Sequence, residues 1–219
     1  MSSVSIIIPT LNEEGSIAHV LDEIEGVADE VIIVDGHSSD DTVRIAQMYD
    51  VKVLFDDVGK GSAVITGLDS ALGDVLVMMD ADGSHHRKEV FEIIRVIEDG
   101  FDVCMPSRFM EGGGSDDITG LRVFGNNFYK FWVWLFWGIL YTDICYGFRG
   151  FSRKAYDKLG LSAEGFDIEL EISIKTAKKN LRYKEIPSFE LERRSGEGKL
   201  NFWTSLLLDK RILLELLGI

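Results

Sequence analysis

The chain has 219 residues, 46% of them hydrophobic and 27% charged, and a net charge of −14 from 23 Lys and Arg against 37 Asp and Glu. That length allows a sizeable core, and the acidic balance excludes a nucleic-acid binder, which needs a basic footprint. Two cysteines, Cys104 and Cys145, match no metal spacing and no disulfide framework, as expected of reduced thiols in the cytosol. The start of the chain carries no signal-peptide pattern, and no apolar run reaches the length of a transmembrane helix.

Strand and helix alternate along the first half. Strands are predicted over residues 4–9, 30–35, 51–55, 75–80 and 102–106, and helices over 14–24, 40–49, 61–72 and 88–98. This order implies an α/β fold with a mainly parallel central sheet and helices on both faces. The first strand ends in Pro9-Thr10-Leu11-Asn12-Glu13, and the second in Asp35-Gly36-His37-Ser38-Ser39-Asp40. The uncharged run 75–79 ends in Asp80-Ala81-Asp82. Open α/β sheets bind ligands at such carboxyl ends.

Asp80 and Asp82 repel each other unless a cation holds them, and Mg²⁺ typically takes one or two carboxylates plus substrate phosphates. Taken alone, each strand-end Asp is equally well a helix cap or turn residue. Three such ends in consecutive strands argue for a cleft, with Glu13 and Asp35 accepting bonds from a nucleoside.

Gly59-Lys60-Gly61-Ser62 fails the spacing of a phosphate-binding Walker loop and reads as a flexible helix start near the cleft. His85 and His86 are adjacent and cannot share a helix face as paired ligands. Residues 111–117, with three consecutive glycines, are expected to form a mobile lid or a plain linker.

Residues 124–141 are apolar nearly all round, carry three of the four tryptophans, and have Lys130 as their only charge. Trp and Tyr favour a membrane interface, and the stretch is too short to span a bilayer; a core or dimer helix is the alternative. Residues 202–217 form a second amphipathic helix, with Trp203, Leu206, Leu207, Leu213, Leu214 and Leu217 on one side and Asp209, Arg211 and Glu215 on the other. Between them, the loop from Arg193 to Lys199 is basic and Gly-containing, which suits a phosphate clamp. Arg122, Lys130, Arg193, Arg194 and Lys199 flank the two helices and would make a locally basic face.

Taken together, Ile7-Ile8-Pro9-Thr10-Leu11-Asn12-Glu13, Val34-Asp35-Gly36, Asp80-Ala81-Asp82, Ser107-Arg108-Phe109, Gly147-Phe148-Arg149, Glu164-Gly165-Phe166 and Glu192-Arg193-Arg194-Ser195 resemble glycosyltransferase family 2, with the GT-A fold. Within it the chain most resembles the polyprenyl-phosphate glycosyltransferases of the dolichol-phosphate mannose synthase type. The resemblance implies one glycosyltransferase domain over 1–219: a nucleotide-binding half, 1–110, and an acceptor-binding half, 111–219, with interface helices at 124–141 and 202–217.

It implies that Pro9, Leu11, Glu13 and Asp35 meet the nucleoside. Mg²⁺ or Mn²⁺ is expected on Asp80 and Asp82, with Ser84 where a metal-shell Gln is usual. Arg108, Arg122, Arg193 and Lys199 are expected on the phosphates of a nucleotide-sugar, of GDP-mannose or UDP-glucose type, and of a polyprenyl phosphate. It implies inversion at the sugar carbon, on the cytoplasmic face of a membrane, without nucleic acid. Asp82, Arg108 and Asp167 are the expected catalytic groups; Asp167 or Glu169 would serve as base if the acceptor were a soluble or glycan hydroxyl. A silent membrane-surface subunit is a further alternative, against which the intact carboxylates speak. A homo-oligomer is also compatible with the aromatic stretch.

Overall fold

The computed structural model describes residues 2–194 and 202–218. The chain runs β1 (Val4–Thr10), α1 (Ile17–Ile24), β2 (Glu30–Asp35), α2 (Thr42–Ala46), β3 (Lys52–Phe55), α3 (Lys60–Ser70), β4 (Val75–Met78), α4 (Arg87–Glu98), β5 (Val103–Ser107), β6 (Gly114–Ser115), α5 (Gly120–Trp137), β7 (Arg149–Ser152), α6 (Arg153–Leu159), α7 (Ile168–Lys178), β8 (Tyr183–Pro187), β9 (Phe189–Glu190) and α8 (Phe202–Leu217). Seven strands form one sheet in the order β3-β2-β1-β4-β7-β5-β8. All neighbours are parallel except β7, which runs antiparallel to both β4 and β5.

The strand sequences are apolar on both faces because helices cover both. Alternate residues of β1 go to opposite cores: Ile6 and Ile8 pack with α1 and α4, and Ile7 packs with α3, α6 and α7. Gly150 in β7 is required by close packing, since a Cβ there would run into the Ile93 side chain of α4. Local chemistry ends the helices: Ser152 accepts from the Ala155 N–H at 3.1 Å to start α6, and Gly138 closes α5 with φ 73°.

The glycine loop is a correction. Gly114 and Ser115 form β6, a short parallel ladder with Phe189 and Glu190 of β9. A Cβ on Gly113 would strike the Ser107 carbonyl, and one on Gly114 the Phe189 ring. These glycines permit the close backbone approach that sets β6 beside β9, where a loop without regular structure was expected. The chain divides between sheets after Pro187: β8 joins the main sheet and β9 joins β6.

Candidate active site

The carboxyl ends of β3, β2, β1 and β4 lie side by side and open into a cavity of about 640 Å³, closed on the other side by α5, α7 and α8. Pro9, Leu11, Glu13 and Gly36 line its strand-end rim, joined by Asp56 and Asp57 just past β3. Two loops form that rim and are tied to each other. Asn12, in the left-handed conformation at φ 57°, donates its N–H to Ser38 Oγ at 2.8 Å, and its side-chain oxygen accepts from the Ser39 N–H at 2.8 Å. Asn tolerates that conformation better than most residues. Nothing in its sequence context marked Asn12 as this link.

Beyond the rim, charges of both signs alternate. Lys60 Nζ lies 2.7 Å from Asp80 Oδ1 and 2.7 Å from Glu169 Oε1. Arg193 Nε lies 3.4 Å from Asp82 Oδ2 and 2.7 Å from Asp117 Oδ2, and Arg122 Nη1 reaches the same Asp117 oxygen at 3.1 Å. Burial works against the Asp80 carboxylate, but Lys60, His85 and Arg193 outweigh it and hold its pKa at about 2. The Asp80 carboxylate is therefore held ionised among the cations of the cleft.

Asp80 and Asp82 both line the cavity, and their hard oxygen donors suit Mg²⁺ or Mn²⁺. Among the described residues no group of three His, Cys, Asp or Glu side chains is arranged to hold a metal. The pair therefore fits a cation whose shell is completed by substrate oxygens. Ser84 does not line the cavity: it is buried behind Asp82, donating its N–H to Asp82 Oδ1 at 3.1 Å. Its backbone N–H thus helps to position the Asp82 carboxylate.

Several expected residues stand apart from the roles assigned to them. Asp35 is fully buried and already accepts from Thr10 Oγ1 (2.9 Å), the Ser38 N–H (2.7 Å) and Ser38 Oγ (2.7 Å), so it braces the rim. Arg108 reaches the cavity wall, but its guanidinium is paired with Asp143 at 2.7 Å and Glu190 at 3.2 Å and stacks on Tyr146 at 4.5 Å. Arg122 and Arg193 also line the cleft, each paired with Asp117, and Arg122 lies 3.6 Å from Glu190 as well. Asp167 lies outside the cavity lining and is held by Arg211 of α8 at 2.7 Å; Glu169, one helical step on, is the carboxylate that reaches the cleft. Lys199 lies outside the described residues.

The Gly59–Ser62 segment contributes a side chain and no backbone nest. The N–H groups of Gly61 and Ser62 donate to the Glu164 carbonyl at 3.0 and 3.2 Å, which leaves the Lys60 ammonium as the group this segment offers the cleft. The adjacent GKG signal was visible in sequence; its partner Asp80, 20 residues away, was not.

The apolar side of the cleft, with Tyr129, Leu170 and Leu208, leads to α5 and α8. Leu121, Phe124, Phe128, Phe131, Trp134 and Leu135 make an exposed stripe on α5, whereas Trp132 and Trp137 pack on the core. On α8 the polar residues divide: Asp209 is exposed and the other two are not. Arg211 and Glu215 are buried against α7, and Leu213, Leu216 and Leu217 are exposed. Among the described residues no helix is long and apolar enough to cross a membrane.

Comparison with known proteins agrees with this geometry. The family described as glycosyl transferase family 2 matches residues 5–160. The dolichol-phosphate mannosyltransferase of Pyrococcus furiosus is 31% identical over 219 residues, covering 90% of this chain and 59% of the relative, so the chain spans less than two thirds of that enzyme. The undecaprenyl-phosphate mannosyltransferase of Micrococcus luteus is 30% identical over 213 residues, covering 90% of this chain and 87% of the relative. Among solved structures, glucosyl-3-phosphoglycerate synthase from Mycobacterium tuberculosis, in complex with Mn²⁺, uridine diphosphate and glucosyl-3-phosphoglycerate, superposes with a TM-score of 0.78. It is 22% identical, covering 100% of this chain and 81% of that one, which establishes the shared GT-A fold.

Proposed function

This chain belongs to glycosyl transferase family 2 and is a glycosyltransferase; from that premise we propose that it moves a hexose, mannose first among the choices, from a nucleotide-sugar to a polyprenyl phosphate at a membrane surface. One observation carries the reading. A single cavity joins a carboxylate pair, two arginines and an apolar wall that runs out to exposed aromatic and leucine faces. A nucleoside diphosphate, a second phosphate and a hydrocarbon chain need those three environments in that order.

Expulsion of a nucleoside diphosphate leaves negative charge on the departing oxygen, and a divalent cation supplies Lewis-acid stabilisation of that charge when bound. Asp80 and Asp82 would hold it. Pro9, Leu11 and Glu13 shape the nucleoside end, with Asp35 bracing it from behind. Arg122 and Arg193 offset the repulsion between two phosphorylated substrates brought side by side. A lipid phosphate is already anionic at neutral pH, so the attacking oxygen needs no proton removed. The relatives at 30–31% identity are named for transfer to dolichol phosphate and undecaprenyl phosphate, which supports this acceptor class.

The test is a panel of GDP- and UDP-sugars offered with a polyprenyl phosphate in detergent, with and without Mg²⁺ or Mn²⁺. Transfer to the lipid, lost in chelator, is the expected result. Product formed only with a soluble hydroxyl acceptor would replace it with a second reading. In that alternative Glu169, which lines the cleft, would serve as the base for the hydroxyl proton.

A further inference from the structure

Lys60 begins α3, and its backbone has little freedom to move. A Cβ on Gly59 or Gly61 would run into the carbonyls of Glu164 and Ala163, so the loop before α3 is packed directly on the segment before α7. From that fixed point the side chain, 16% exposed, reaches both Asp80 and Glu169 at 2.7 Å. One ammonium thus neutralises a carboxylate from the end of β4 and another from α7. Beside it, Asp82 faces Arg193.

Both carboxylates expected to hold a divalent cation are therefore already opposed by side-chain cations. A metal ion arriving alone competes with Lys60 for Asp80 Oδ1, and among the described residues no group of three His, Cys, Asp or Glu side chains is arranged to hold it. A diphosphate changes that balance. Its oxygens complete the metal shell and also give the displaced ammonium a new anion within the same cleft.

We propose that Lys60 is the resident counter-ion of Asp80 before substrate binds, so that the divalent cation is taken up with the nucleoside diphosphate and not ahead of it. Lys60 is then a positioning residue acting through Asp80. It makes the metal site conditional on the donor, and it reports donor binding to α7 through Glu169. This inference rests on the metal role of Asp80 proposed above.

The experiment measures Mn²⁺ binding by the electron paramagnetic resonance signal of the free ion, in the presence and absence of GDP or UDP. Wild-type protein should bind Mn²⁺ weakly alone and about tenfold or more tightly with one of the nucleotides. Lys60→Met, which removes the competing charge, should bind Mn²⁺ about tenfold more tightly without nucleotide, and the nucleotide enhancement should shrink. Lys60→Arg should behave like wild type. Circular dichroism melting confirms that each variant is folded, and if Lys60→Met is not, Lys60→Gln serves in its place.

Unchanged or weaker nucleotide-free Mn²⁺ binding in the folded charge-removal variant would overturn the inference. Asp80→Asn separates the two levels. If it abolishes Mn²⁺ binding while the Lys60 variants have no effect, the counter-ion role alone fails. If wild type binds no Mn²⁺ with either nucleotide, the metal reading fails with it.

Discussion

The strand-end wall of the cleft and the wall made by α7 and α8 are held together by different forces. In the first, β1 and β2 pair in register from Ser5 opposite Glu30 to Thr10 opposite Asp35, over isoleucines with no exposed surface. In the second, Arg211 of α8 meets Asp167 at 2.7 Å and Glu171 at 3.0 Å, and Lys178 of α7 meets Glu215 at 2.7 Å. Backbone ladders over a close-packed core are insensitive to salt and ligand. Buried ion pairs roughly break even against their desolvation cost, yet removing one partner is expensive. On the proposed function, the strand-end wall is the donor wall and is set by the sheet, while the acceptor wall of α7 and α8 depends on matched charges as well as on the packing of Leu208 and Ile212.

The sharpest way to break that contrast is Arg211→Ala. It leaves Asp167 buried without its cation, while Glu171 keeps Lys175 at 2.8 Å, and should cost about 3 kcal/mol, read as a lower midpoint in urea. A loss below about 1 kcal/mol would show that apolar contacts of Leu208 and Ile212 hold α8 on their own. On the donor wall, Asp82→Asn should leave the melting temperature nearly unchanged. It should lower turnover by about 10²–10³-fold, the size typical of removing one group that stabilises transition-state charge. Full activity of Asp80→Asn/Asp82→Asn in chelator would remove the metal from the mechanism.

Acid sharpens the comparison further. Burial opposes the Glu171 charge, but hydrogen bonds from Lys175 and from the Ser162 N–H and hydroxyl, with the charge of Arg211, prevail and depress its pKa below the ordinary 4.5. A depressed carboxylate stabilises the fold above its unfolded pKa, and that contribution is lost as pH falls through the folded value. Contacts of α8 should thus loosen below pH 4.5 before the sheet does, visible by hydrogen exchange. Simultaneous loss of both walls would mean that they form one cooperative unit.

Asp35→Ala should cost about 1–2 kcal/mol by orphaning the Thr10 and Ser38 hydroxyls. It should also weaken GDP or UDP binding without metal, by calorimetry, through a loosened rim. An unchanged affinity would make Asp35 a turn residue only. The smallest effect on stability, within about 0.5 kcal/mol, is expected for Phe131→Ser/Trp134→Ser on the exposed face of α5. Wild type should float with liposomes and this variant should not. A dimer that dissociates in the variant would assign the face to a protein partner.

The alternation of apolar runs with turn residues was enough to locate β1 to β5 and α1 to α4 within a few residues, because strand and helix periods are local properties of the chain. The same locality exposed Asp80 and Asp82. A charge that ends an uncharged strand must emerge at the sheet edge. Local pattern misled where the deciding partner was distant. Three glycines read as a lid until β9 was seen beside them. The pattern put Arg211 and Glu215 on one side of α8 but not what that side meets, which is Asp167, Glu171 and Lys178. Arg108 read as a phosphate ligand until Asp143 and Glu190 were found to occupy it. Charge attraction has no sequence period, so which carboxylate neutralises which cation, and therefore which cations are left to meet substrate, was decided only when packing brought the helices against the sheet.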